Sequence, residues 1–126
     1  MTKEERIEKA RALHKQGCNC CQAVLMAYAD RLPIKGEDAM AVAAPFGRGL
    51  AGTREVCGCV SGMAMACGLT GHAADTRTLI ERFREEEGDI VCGRLLAAGK
   101  RPCNTMIGDA AGLLAGVIDV QHRQDL

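Results

Sequence analysis

The chain is expected to fold as an all-α, single-domain bundle of about five to seven helices. Three observations lead there. Apolar residues recur at helical spacing along the whole chain, and no segment alternates as a half-buried strand does. The three prolines and several of the glycines punctuate those periodic runs. The length of 126 residues, without repeat, low-complexity segment or linker, makes one domain spanning 1–126. A chain of that size buries about two-thirds of its unfolded surface without cross-links.

The elements follow in order. Thr2 to Glu5 has the form of a capping box, followed by Ile7, Ala10 and Leu13 at helical spacing, with Gly17 as the stop. Asn19 opens a second helix with Gln22 at its third position. That helix carries Val24, Leu25, Tyr28 and Leu32 on one face and is expected to run to Pro33. A short third helix covers Glu37 to Ala44, stopped by Pro45, and a glycine-rich loop follows through Glu55. The segment from Val56 to Gly71 is apolar on all sides, the mark of a central buried helix. Gly58, Gly62 and Ala66 on it would let a neighbour approach closely. Asp75 is expected to cap a fifth helix with Leu79, Ile80 and Phe83 inside and the charges from Glu81 to Glu87 on its solvated face. Gly88 and Asp89 restart the chain into a segment containing Cys92. Pro102 and Cys103 open a last helix with Met106, Ile107, Ala110, Leu113, Leu114, Val117 and Ile118 on one broad face.

Composition removes several functional classes. Acidic and basic residues balance at sixteen each, which leaves no basic footprint for nucleic acid or an anionic membrane. Tyr28, Phe46 and Phe83 are the only aromatics, too few for base stacking. The charged start has no apolar signal region, and the run from Val56 to Leu69 is too short and too rich in Gly and Ser for a membrane span. A cytoplasmic location is expected. There, eight cysteines read as redox-active or metal-binding rather than as a disulfide framework.

The cysteines share a kind of position. Cys20 and Cys21 follow the cap Asn19, and Cys57 stands at the start of the buried helix. Cys92 is three residues after the candidate cap Asp89, and Cys103 follows Pro102. Free N–H groups and the helix dipole at such starts favour thiolate, the form that attacks disulfides and binds metals. Cys67 reads as a small core residue, with Cys18, Cys21 and Cys59 between the two kinds. Cys18 and Cys21 make a Cys-x-x-Cys, but no βαβ pattern surrounds it and no second knuckle completes a zinc ribbon. Cys59, Met63 and Cys67 form a stripe of soft donors that suits Cu(I), although such stripes are more often core.

Asn19-Cys20-x-Gln22-Ala23-Val24, Phe46-Gly47-x-Gly49, Cys57-Gly58-x-Val60-Ser61-Gly62, Cys92 ahead of Leu95-Leu96, and Cys103 occur in that order. This pattern resembles the small bacterial and archaeal redox-active proteins named for their motif, the C_GCAxxG_C_C family. The resemblance runs from about Gly17 to the final helix. It implies that the family's four characteristic cysteines are Cys20, Cys57, Cys92 and Cys103, the set that helix-start reasoning also selects. Selenoprotein members of the family imply redox chemistry at sulfur; a similar module in split-Soret cytochromes implies an iron–sulfur or electron-transfer role. The sequence departs from the family where Cys59 stands in place of the usual Ala and where Cys21 replaces a small residue.

Two hypotheses follow. In the first, a thiol-dependent oxidoreductase, Cys20, Cys57, Cys92 and Cys103 carry out thiol–disulfide chemistry with an unidentified redox partner. In the second, the same cysteines, extended by Cys59 and Cys21, bind an iron–sulfur cluster or a soft metal such as Cu(I). A third reading is a small helical oligomer with core cysteines, and the small-residue spacing permits a homodimer. Gly47-Arg-Gly49-Leu-Ala-Gly52 matches a dinucleotide fingerprint but lacks its strand. It reads instead as a tight loop whose backbone reaches a buried site, with Arg48 and Arg54 able to offset thiolate charge. His14 reads as boundary, His122 as tail, and His72 alone as a candidate ligand or proton donor.

Overall fold

The computed structural model describes residues 1–99 and 103–120; Pro102 and His122 lie outside them. Seven α-helices form among the described residues, in an all-α arrangement. They are α1 (Lys3–Lys15), α2 (Cys20–Met26), α3 (Gly36–Ala43), α4 (Gly58–Leu69), α5 (Thr76–Glu87), α6 (Cys92–Ala97) and α7 (Cys103–Ile118). Single 3₁₀ turns at Ala29–Arg31, Ala44–Phe46 and Ala73–Asp75 connect some of them. The described residues contain no named strand, only an isolated antiparallel bridge between Val56 and Val91. None of the described helices is long and apolar enough to cross a membrane.

Local chemistry accounts for the helix ends. Thr2 Oγ1 accepts from Glu5 N at 3.1 Å while Glu5 Oε1 accepts from Thr2 N at 2.7 Å, completing the capping box of α1. Gly17, at φ +114°, closes α1 in a Schellman turn, with Cys18 N donating to Leu13 O and Gly17 N to His14 O. Asn19 and Gln22 cap α2 in the same reciprocal way.

The second helix ends earlier than its periodicity suggests, at Met26 rather than Pro33. The Ala27 carbonyl accepts from Arg6 Nη1 at 2.9 Å, and Tyr28 turns inward to donate its hydroxyl to Ala111 O at 2.7 Å. Tertiary partners there replace the next helical turn. Three further local expectations are revised. Asp75 makes no side-chain cap for α5 and faces His72 at 3.3 Å instead. Asp89 accepts from Ile90 N and Val91 N, so α6 begins two residues later than a cap at Asp89 would give. Glu87, expected on a solvated face, is 6% exposed.

The central helix α4 is buried as its composition requires, with Cys59, Val60, Met63, Ala66 and Cys67 in the core. It crosses α2 at close range. A Cβ on Gly62 would come within 2.9 Å of Cys21 O and 3.0 Å of Val24 Cβ, so a larger residue would separate the helices. Leu25, Leu79, Phe83, Ile107, Leu114 and Ile118 complete the core. Burying each such side chain contributes roughly 1.5–3 kcal/mol.

Helices α1 and α7 lie antiparallel, with Ile7 against Gly108 and Gly112, Arg6 beside Asp119 at one end and His14 beside Asn104 at the other. Arg6, which periodicity alone would leave outside, is 0% exposed. Its guanidinium bonds both carboxylate oxygens of Asp30 and of Asp119 and lies 4.3 Å from the Tyr28 ring centre. Desolvation opposes its charge, but the two carboxylates outweigh that and hold it protonated.

Candidate functional site: a cavity lined by six cysteines

At the other end of the α1–α7 pair, a cavity of about 740 Å³ opens where four helices begin. Cys20, Cys92 and Cys103 are the first residues of α2, α6 and α7, and Cys57 immediately precedes α4. All four line the cavity, joined by Cys18 and Cys59. The helix starts that looked alike in sequence therefore converge. Cys21 and Cys67 do not line it. Both are fully buried in the core, Cys21 with its Sγ 3.7 Å from Met65 Sδ. The stripe Cys59, Met63, Cys67 splits accordingly, with Cys59 facing the site and the other two packed inside.

The local sequence explains how Cys20 is held. The Asn19–Gln22 cap takes the N–H of Gln22, leaving the first N–H groups of α2 free to face the Cys20 sulfur. Gly58 supplies the floor. A Cβ there would stand 2.2 Å from Cys20 Sγ and 3.0 Å from Phe46 O, so only glycine lets the thiol rest on the start of α4. The glycine-rich loop contributes the N–H of Arg48. It does so through an unusual backbone: Arg48, Gly49, Leu50, Ala51 and Gly52 all have positive φ, as does Arg54. Each non-glycine residue in that region costs about 1–2 kcal/mol, and the run is tied down by Ala51 N to Pro45 O at 2.7 Å and Glu55 N to Gly49 O at 2.8 Å.

Cys59 is the hinge of the electrostatics. Its thiol hydrogen-bonds to both Cys20 and Cys57. Those bonds, with burial, push its own pKa well above the ordinary 9.0 and keep it protonated. Cys20 gains most from this contact, then from the N–H groups of Arg48 and Cys21, against desolvation; its pKa falls from 9.0 to about 6. Cys57 is lowered by the same thiol first, against burial and the nearby Cys20 charge. Cys21, with burial and no donor, is pushed up to about 12. The Cys59 thiol thus favours the ionised form at each of its two neighbours.

The second half of the site is joined to the first through backbone. Cys57 N donates to Ile90 O at 2.8 Å and Cys92 N to Glu55 O at 2.6 Å, across the Val56–Val91 bridge. Arg54 Nη1 lies 3.7 Å from Cys92 Sγ. His14 and Asn104 also line the cavity, a pair that linear spacing gave no sign of. Arg11 Nε donates to Asn104 Oδ1 at 2.8 Å, and Asn104 Nδ2 donates to Arg11 O, which orients the amide. Asn104 Nδ2 is then the donor to His14 Nδ1 at 3.1 Å, so the neutral ring carries its hydrogen on Nε2. His72, the histidine singled out from sequence, lines a separate cavity of about 280 Å³ with Arg31 and Thr70.

A family model described as "Putative redox-active protein (C_GCAxxG_C_C)" matches residues 18–117. The chain belongs to that family. The matched span runs from the cavity-lining Cys18 into the last turns of α7 and includes every cysteine of the site. No curated protein and no solved structure gives a significant match.

Proposed function

We propose that this C_GCAxxG_C_C protein is a thiol–disulfide oxidoreductase whose attacking group is the Cys20 thiolate. The observation that carries the reading is the setting of Cys20. It is partly exposed in the cavity and mostly ionised at neutral pH, with a second low-pKa thiol, Cys57, held by the same Cys59 hydrogen-bond donor. Cys20 Sγ attacks one sulfur of a disulfide, the S–S bond breaks, and the first thiolate departs to take a proton from water. Cys57 then attacks Cys20 Sγ and displaces the second thiolate, leaving a Cys20–Cys57 disulfide after a two-electron transfer. Exchange with Cys92 or Cys103 in the same cavity, and then with an external thiol, returns the site to its reduced form.

The test is alkylation followed across pH with peptide mapping, before and after mild oxidation. Cys20 is expected to react fastest, with a midpoint near pH 6, and to appear in a disulfide with another cavity cysteine after oxidation. A Cys20 that titrates like a free thiol, with all four helix-start cysteines still free after oxidation, would sink the proposal.

A second reading is supported by the donor set. Six cysteines around one cavity are the ligands an iron–sulfur cluster uses, and Cys20, Cys57, Cys92 and Cys103 would hold it for electron transfer. A single ion held by three thiolates is not pre-assembled. Among the described residues, no three cysteine sulfurs lie within 4.8 Å of one another. Iron and acid-labile sulfide measured on anaerobically prepared protein separate the readings: stoichiometric amounts of both would make thiol exchange secondary.

A further inference from the structure

We infer that the cavity recognises a small disulfide carrying carboxylate groups, with Arg48 and Arg54 as the residues that select its charge. The inference rests on the thiol–disulfide reading and adds the substrate's chemical class. Every charged or protonatable side chain other than cysteine at the cavity wall is basic: Arg48, Arg54 and His14, with no Asp or Glu among the lining residues described. Both arginines are exposed at the wall. Arg48 makes no ion pair among the described residues, and the hydrogen bond of Arg54 is to Cys92 Sγ rather than to a carboxylate. Arg6 and Arg31, by contrast, are held in ion pairs, Arg6 with Asp30 and Asp119 and Arg31 with Asp119.

The placement of the two guanidinium groups is also costly to achieve. Arg48 and Arg54 have φ of 55° and 62°, a region where glycine is the ordinary choice. The same left-handed turn that delivers the Arg48 N–H to Cys20 therefore carries its side chain to the cavity wall. The longer helices α4 and α7 add the positive ends of their dipoles to the same space. The sulfurs of Cys57 and Cys59 lie deeper, in residues 5% and 1% exposed, whereas both arginines are exposed. An incoming anion meets the cations first. A volume of about 740 Å³ suits a small molecule rather than a protein loop alone.

The reaction balances with this class of substrate. One substrate S–S bond breaks and one protein S–S bond forms. Two electrons pass from cysteine sulfur to the substrate, which leaves as two carboxylate-bearing thiols after uptake of two protons from water.

The experiment compares three disulfides of similar size: dithiodipropionate, a dianion; hydroxyethyl disulfide, which is neutral; and cystamine, a dication. The rate of mixed-disulfide formation at Cys20 in the full chain is divided, for each probe, by its rate with mercaptoethanol, which removes intrinsic reactivity. Steering by a basic cleft predicts a normalised rate about tenfold higher for the dianion than for the neutral probe at low salt, with cystamine slowest. That preference should shrink severalfold near 1 M salt, where the screening length is about 3 Å. The double variant Arg48→Gln, Arg54→Gln should lose the preference, and Arg48→Lys, Arg54→Lys should keep most of it. Equal normalised rates for the three probes, or cystamine fastest, would overturn charge selection and leave the thiol–disulfide reading standing. A preference that survives the double Gln variant would overturn the assignment to these arginines. Absence of any mixed disulfide at Cys20 with all three probes is a different failure, that of the thiol–disulfide reading itself.

Discussion

The two ends of the α1–α7 pair bury polar groups in opposite ways, although Arg6 and His14 are separated by only about 12 Å of helix. Around Arg6, charges of opposite sign meet. Asp30 and Asp119 take four hydrogen bonds from the guanidinium, the Ala27 carbonyl takes a fifth, and Tyr28 covers one face. Around Cys20, groups of like charge crowd together and share a single thiol proton donor, beside a backbone held in the left-handed region. The first arrangement has one low-energy state and nothing left to react with. The second keeps a thiol of lowered pKa beside a loop held in the left-handed region. Both satisfy their buried nitrogen and oxygen atoms, so completeness of hydrogen bonding does not distinguish them; the sign of the neighbouring charges does.

The comparison breaks most visibly at Arg6. Replacing Arg6 by Met leaves Asp119, 14% exposed, without its main partner, and should lower unfolding free energy by about 3–5 kcal/mol in urea denaturation. The midpoint of Cys20 alkylation should stay near pH 6. A joint loss of stability and Cys20 reactivity in a still-folded variant would mean that the two ends are coupled, contrary to the division drawn above.

The next effect is smaller and depends on pH. Cys20 has a folded pKa depressed to about 6 from 9.0. The folded state therefore binds the proton less tightly than the unfolded chain does, and stability rises with pH between the two values. The contribution is fully present above pH 9, is lost as pH falls through 6, and is on the order of 2–4 kcal/mol. Urea midpoints at pH 6 and pH 8.5 should differ in the native chain, while Cys20→Ser should flatten the rise. A native curve that is level over this window would show that Cys20 is not held as a thiolate.

The smallest expected effect sharpens the role of Cys59. In Cys59→Ala, both neighbours lose a hydrogen bond worth about 1 kcal/mol. The thiolate fraction of Cys20 near its midpoint should then fall roughly fivefold relative to its thiol form. Alkylation rates against pH read this directly: the midpoint moves up. Movement in the other direction would assign Cys59 a purely steric role.

Much of the fold was present in local pattern. The capping boxes at Thr2 and Asn19, the stops at Gly17 and Gly88, and the all-round apolarity of α4 each act over a few residues, so sequence order alone determines them. The choice of Cys20, Cys57, Cys92 and Cys103 as helix-start thiols was legible for the same reason. Convergence was not. Which helix starts face one another depends on how α1, α2, α4, α6 and α7 pack, and no spacing along the chain encodes that angle. Packing also moved Cys59 into the site and Cys21 out of it, although both looked alike as extra thiols in sequence. It brought His14 to Asn104 across 90 residues, buried Arg6 against Asp119, and stopped α2 early so that Ala27 and Tyr28 could meet them. The sequence by itself determined the helices and the thiols at their starts, because caps, periodicity and glycine stops are local forces. The tertiary structure alone decided which thiols share a cavity, because that depends on distances between segments far apart in the chain.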